Sequence, residues 1–154
     1  MLDKILISFR EKIMQKHYKK EMIKSVEAGA DYIETANKRL VEISELLKDL
    51  QPKAPGSVLL SLYNCGKDCN GCPHPIWHKW FIKKSAAMGG KVSFLRTKIE
   101  NPLNRVATGG KFAENLAEVK ELIREAESLI KKRHQILNSS ANFMRSMDCF
   151  RKKV

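Results

Sequence analysis

Residues 65–74 read Cys-Gly-Lys-Asp-Cys-Asn-Gly-Cys-Pro-His, which places Cys65, Cys69, Cys72 and His74 close together in an irregular, Gly- and Pro-containing stretch. Three of the chain's 4 cysteines stand here. Three thiolates and an imidazole are the donor set of a tetrahedral zinc site, and short loops deliver such ligands to one ion. Cys65, Cys69 and Cys72 are therefore expected as metal ligands. His74 is the favoured fourth, with His78 as the alternative. With all four positions filled by protein the metal is structural, because no site stays open for a water.

Two other readings of these cysteines are weaker: an iron–sulfur cluster, and three unliganded thiols, which are usually buried and apolar rather than clustered in a Gly/Pro loop. The spacing Cys-x3-Cys-x2-Cys matches the iron–sulfur signature of radical S-adenosylmethionine enzymes, but their barrel domains need roughly 200 residues or more. An iron–sulfur cluster is thus the lesser alternative to zinc as cofactor. The remaining Cys149 falls short of the site on reach. A helical arm from Lys111 to about Ser140 climbs ~45 Å, whereas the residues left to return span at most ~30 Å.

The ligand loop lies in the most basic part of the chain. Over the whole sequence 29 Lys/Arg stand against 17 Asp/Glu, a formal net charge of +12. Residues 51–110 hold nine of those cations and only two acids, together with both Trp, Tyr63, Phe81 and Phe94. Such segregation makes polyanions the first partners to consider. The N-terminus is too charged to read as a secretory signal, and no stretch approaches the ~20 apolar residues of a membrane span. These features predict a cytoplasmic protein without a membrane partner, where clustered cysteines bind metal rather than form disulfides.

The elements that must position the loop are helical. Residues 2–50 contain no Pro and the single Gly29, and apolar or small residues recur at Met22, Val26, Gly29, Ile33, Ala36, Leu40, Ile43, Leu47 and Leu50. Their alternating spacings of three and four form a helix-packing seam. A matching stripe runs through Phe112, Leu116, Val119, Ile123, Ala126, Ile130, Arg133 and Leu137. Pro52 and Pro55 stop the first arm, Gly109-Gly110 precede the second, and Asn138-Ser139-Ser140 suggest its end. Between the arms, Trp77–Lys84 and Lys91–Ile99 read as a β-hairpin turning at Gly89-Gly90.

The expected fold is mainly α (α+β): an antiparallel helical hairpin or coiled coil with a small zinc-stapled β-hairpin module at its tip. The expected segments are residues 1–50, 51–110 and 111–154. The metal would supply the stability that an isolated hairpin lacks in water. A parallel homodimeric coiled coil is the main competitor.

Within this frame the chain resembles a knuckle-and-hairpin motif of short proteins carried by plasmids and other mobile elements. The resemblance rests on Tyr63-Asn64-Cys65-Gly66-Lys67, Cys69 to His74, Trp77 to Phe81 and Gly89-Gly90-Lys91. Joined to helical arms, it is similar to the MobI-type auxiliary proteins of conjugative elements. The loop is longer here, with Ser85 to Met88 before the Gly pair. What the resemblance implies is DNA binding near a transfer origin.

The residues themselves point to a non-catalytic nucleic-acid-binding accessory protein. Lys79, Lys83, Lys84, Lys91, Arg96, Lys98 and Arg105 would meet phosphates. A two-stranded ribbon fits the duplex major groove, so Arg96 or Lys98 could reach base edges. Trp77, Trp80 and Phe81 admit stacking on unpaired bases of single-stranded DNA or RNA, although packing is the more ordinary use of at least one Trp. The competing expectation is a coiled-coil adaptor whose arms recruit a protein partner and whose basic tip meets an acidic surface. No nucleophile–base constellation supports an enzyme. Thr108-Gly-Gly-Lys111 is only a fragment of a phosphate loop.

Overall fold

A computed structural model describes residues 2–66, 69, 71–84 and 92–151, with the side chains of residues 2–13, 84, 92, 150 and 151 left aside. Among the described residues three α-helices and three strands follow in the order α1 (Leu2–Leu50), β1 (Val58–Tyr63), β2 (His74–Lys84), β3 (Val92–Lys98), α2 (Pro102–Arg105) and α3 (Leu116–Arg151), with a short 3-10 helix at Gly110–Phe112 before α3. The class is α+β, as expected. The expected Gly89-Gly90 turn and Lys91 lie outside the described residues.

The chain divides into two compact units, Met1–Thr35 and Ala36–Val154. The first is helical. Its side chains Met14, Tyr18, Met22 and Val26 are exposed, so the expected seam is unburied at Met22 and Val26 and half-buried at Gly29 and Ile33.

In the second unit the stripes do pack. Ala36, Leu40, Ile43 and Leu47 of α1 and Val119, Ile123 and Ala126 of α3 are almost wholly buried. Asn115 Nδ2 donates to Leu50 O at 3.0 Å, Arg39 Nε to Glu125 Oε1 at 2.7 Å, and Arg133 Nε to Asn37 Oδ1 at 2.8 Å. Contacts that climb one helix while descending the other make the pair antiparallel. The second arm does not end at Asn138-Ser139-Ser140, because α3 continues to Arg151. Such residues cost a helix only a few tenths of a kcal/mol each, too little to stop one flanked by strong helix formers.

The sheet is antiparallel in the order β1-β2-β3, so the expected hairpin gains a third strand. Val58, Leu60 and Trp77 enter the same core as the helix pair. The described module thus shares the helices' core, and its stability does not rest on a metal alone. Two polar side chains, Ser44 of α1 and Gln51 just beyond its end, fasten β1. Ser44 Oγ donates to Leu60 O at 2.7 Å. The Gln51 amide exchanges two hydrogen bonds with the Val58 backbone, at 2.7 and 2.9 Å, as a neighbouring strand would.

Pairing aligns Trp80 with Arg96, Ile82 with Phe94 and His78 with Lys98. Since successive side chains alternate across a sheet, Leu59, His78, Trp80, Phe94, Arg96 and Lys98 stand on the face opposite the core residues Val58, Leu60 and Trp77.

Candidate metal centre and the basic sheet beside it

The ligand loop joins β1 to β2 and turns tightly enough to fold back on itself. Gly66 adopts φ +68°, a left-handed conformation that side-chain-bearing residues avoid. Cys72 N donates to Cys69 O at 3.3 Å, closing the next turn. The Cys72–Pro73 peptide is cis, and His74 then begins β2. The sulfurs of Cys65, Cys69 and Cys72 and a ring nitrogen of His74 all come within 4.8 Å of one another. Cys65 and Cys72 Sγ are 3.2 Å apart, and Cys69 Sγ lies 3.4 Å from His74 Nε2. Neither His78 nor Cys149 belongs to this group.

Gly71 keeps room for the cluster. A Cβ there would stand 3.3 Å from His74 Cε1 and 3.6 Å from Cys69 Sγ. Backbone amides already aim at sulfur, with Gly71 N donating to Cys69 Sγ at 3.4 Å and Cys65 N to Cys72 Sγ at 3.5 Å. Such donors are what a metal-bound thiolate requires. For Cys72 the Cys65 amide favours the thiolate. The Cys65 thiol, burial and the neighbouring Cys65 and Cys69 sulfurs outweigh it and leave the thiol above its ordinary value. Crowded thiols resist losing several protons unless a cation gathers them. The donor chemistry therefore fits a closed Cys3His site for a metal such as zinc.

Beneath the loop lies a residue whose role was not recognised from the sequence. Arg133 is only 4% exposed. Its Nη2 donates to Gly71 O at 2.9 Å and Pro73 O at 3.0 Å, while Nε reaches Asn37 on α1. Burial lowers its proton affinity, and the Cys72 and Cys69 sulfurs oppose that shift. A guanidinium stays charged in proteins, so one fixed positive charge sits below the thiols. The signal was present as a cation on an otherwise apolar stripe, a position that demands a buried partner.

No family model, curated protein or solved structure matches the chain.

The expected nucleic-acid residues divide between faces. Trp80, Arg96 and Lys98 stand on the outer face, where the Trp80 and Phe94 rings meet edge-to-face at 6.5 Å. Lys79 and Lys83 alternate onto the other face. Lys79, Lys98 and Arg105 line one groove of about 480 Å³ that also holds Glu100. Lys84 is placed by its backbone only, at the end of β2. Trp77 is a core residue and Phe81 is partly exposed. Burial first, then the cations Arg96 and Lys98, push the His78 imidazole below its ordinary range. No described helix is long and apolar enough to cross a membrane.

Proposed function

We propose that this is a non-catalytic nucleic-acid-binding protein whose Cys3His loop holds a structural zinc ion and sets the strand that carries the basic surface. Cys65, Cys69, Cys72 and His74 would be the ligands, and the ion would supply rigidity. The observation that carries the reading is where the cations lie relative to acids and aromatics. On the helices Lys24, Arg39, Lys48 and Arg124 each pair with a nearby Glu, while Lys16, Lys19, Lys20, Lys120 and Lys131 form no ion pair among the described residues. Among the described residues, Lys79, Lys83, Arg96, Lys98 and Arg105 form no ion pair. Unneutralised cations on and next to a small sheet, beside exposed aromatics, suit phosphate and base. A role in mobilising a plasmid or other mobile element, which the knuckle-and-hairpin resemblance suggests, is the biological setting this reading favours.

Fluorescence anisotropy of metal-loaded protein with duplex DNA, single-stranded DNA and RNA across a salt series tests it. Release of counterions from ~5 phosphates gives a log–log slope of about −4 on duplex. Absent or salt-insensitive binding on all three would overturn it.

One observation favours a second reading, a protein–protein adaptor. The exposed stripe Met14, Tyr18, Met22 and Val26 on α1 has the spacing of a helix-docking face. It would take a helical partner or a second copy of the chain. Loss of a pull-down partner or of dimer on changing Tyr18 and Met22 to Glu, with nucleic-acid binding absent, would select it.

A further inference from the structure

A cavity of about 350 Å³ opens where the end of α1 meets the outer face of the sheet. Leu47, Leu59 and Trp80 give it apolar walls, and Lys48, Lys53 and Arg96 line it with positive charge. No acid is among its lining residues. Its size lies at the small end of ligand pockets, which run from ~300 Å³. Duplex DNA presents no free base to such a recess, whereas a single strand does.

The fittings of the pocket agree with that occupant. Trp80 packs against Phe94 at an interplanar angle of 79°, a T-shaped contact that fixes the orientation of the indole. Arg96 is its direct cross-strand neighbour on β3. Lys48 is engaged by Glu45, but Lys53 and Arg96 have no ion pair among the described residues. The polar groups deeper in the wall are already used. Gln51 bonds Leu47 O and the Val58 backbone, and Ser57 Oγ donates to Ala54 O. With those groups committed, the free chemistry of the pocket is an indole, aliphatic walls and two cations. That combination takes a planar ring and an attached phosphate without reading the ring's edge.

We infer that this cavity seats one unpaired nucleobase of a single strand, stacked on Trp80, with the flanking phosphates on Lys53 and Arg96. The inference rests on the nucleic-acid reading above and makes that reading specific: the strand is single and its sequence is not read here. A free mononucleotide offers the same ring and phosphate, so the test separates the two sources.

Two single-tryptophan proteins make the site visible. Trp77→Phe leaves Trp80 as the only indole, and Trp80→Phe leaves the core reporter Trp77. Each full-length, metal-loaded variant is titrated with an oligothymidylate of roughly 12 nucleotides, a length suited to single-strand grooves, then with a duplex of equal length and with thymidine monophosphate. The expected result is saturable quenching of Trp80 by the oligonucleotide, little change at Trp77, and much weaker quenching by the monophosphate. Trp80→Ala is expected to weaken single-strand affinity at least about fivefold, the lower end of base–aromatic stacking. Trp80→Phe should retain part of it, and duplex affinity should change less than single-strand affinity.

Single-strand binding that leaves Trp80 emission unchanged overturns the inference while sparing nucleic-acid binding in general. Quenching by the monophosphate equal to that by the strand replaces the strand with a free nucleotide. If the unaltered protein binds none of the three probes, the broader reading itself fails. The Trp77→Phe titration decides the matter even where Trp80→Ala does not fold.

Discussion

Arg133 shows how much one side chain can decide. It spans α1, α3 and the loop of sulfurs, and it places a positive charge under donors that would carry three negative charges as thiolates. Replacing Arg133 with Met removes the charge and leaves Gly71 O, Pro73 O and Asn37 without their donor. We expect zinc affinity, measured by chelator competition, to fall about 10- to 100-fold, as it does when outer partners of metal ligands are lost. Arg133→Lys should recover part of the affinity, since it restores charge but not the forked geometry. The cobalt(II) absorption spectrum should keep its thiolate bands in both, because no ligand has changed. Affinity unaltered in a folded Arg133→Met protein would show that the arginine serves packing only. The ligands themselves were legible because Cys65, Cys69, Cys72 and His74 are neighbours in sequence as well as in space. Arg133 was harder to assign because its partners on the loop are backbone carbonyls some sixty residues away, and carbonyls carry no sequence signature.

At the scale of elements, β1 is the instructive case. A half-buried strand announces itself by alternation, but Val58, Leu59 and Leu60 are all buried, and the run resembles any short apolar segment. Ser44 and Gln51, which fasten it, carry no pattern that sets them apart from other polar residues in or just after a helix. Gln51→Ala should destabilise the fold by about 2–3 kcal/mol in denaturant titration, because the Val58 amide and carbonyl would be left buried without partners. A cost below about 0.5 kcal/mol would mean that water replaces the glutamine. The α1–α3 pairing was legible from its stripes, and the Arg39–Glu125 contact adds a pH signature. The Arg39 hydrogen bond holds the Glu125 carboxyl below its ordinary 4.5. The stabilisation is therefore complete above that value and is lost as pH falls through the folded value. Glu125→Gln should cost no more than about 1 kcal/mol near neutrality, given a half-exposed pair. The gap in melting temperature between the two proteins should close in acid. A gap independent of pH would remove the ion pair from the account.

Within the second unit the sheet and the helix pair share one core, and Arg133 ties the ligand loop to both helices. Zinc removal should therefore be felt by the helices. With zinc bound well above its dissociation constant, chelation is expected to lower the melting midpoint followed by helical circular dichroism by roughly 10 °C. Trp emission should change at the same time, and most helical signal should survive at room temperature. A helical melting midpoint indifferent to chelator would mean that loop and helices fold independently.

The same construction governs how the sheet meets other chains. On one border, β1, Gln51 occupies the Val58 amide and carbonyl and Ser44 the Leu60 carbonyl. The other border is β3, whose neighbour in the sheet order lies on one side only. Unpaired strand borders invite accretion of further strands, and charged side chains discourage it. Arg96 and Lys98 stand on that open border. Templated growth is thus hindered by Ser44 and Gln51 on one flank and by electrostatic repulsion on the other, and an extended peptide docking as a fourth strand would find the more open border along β3.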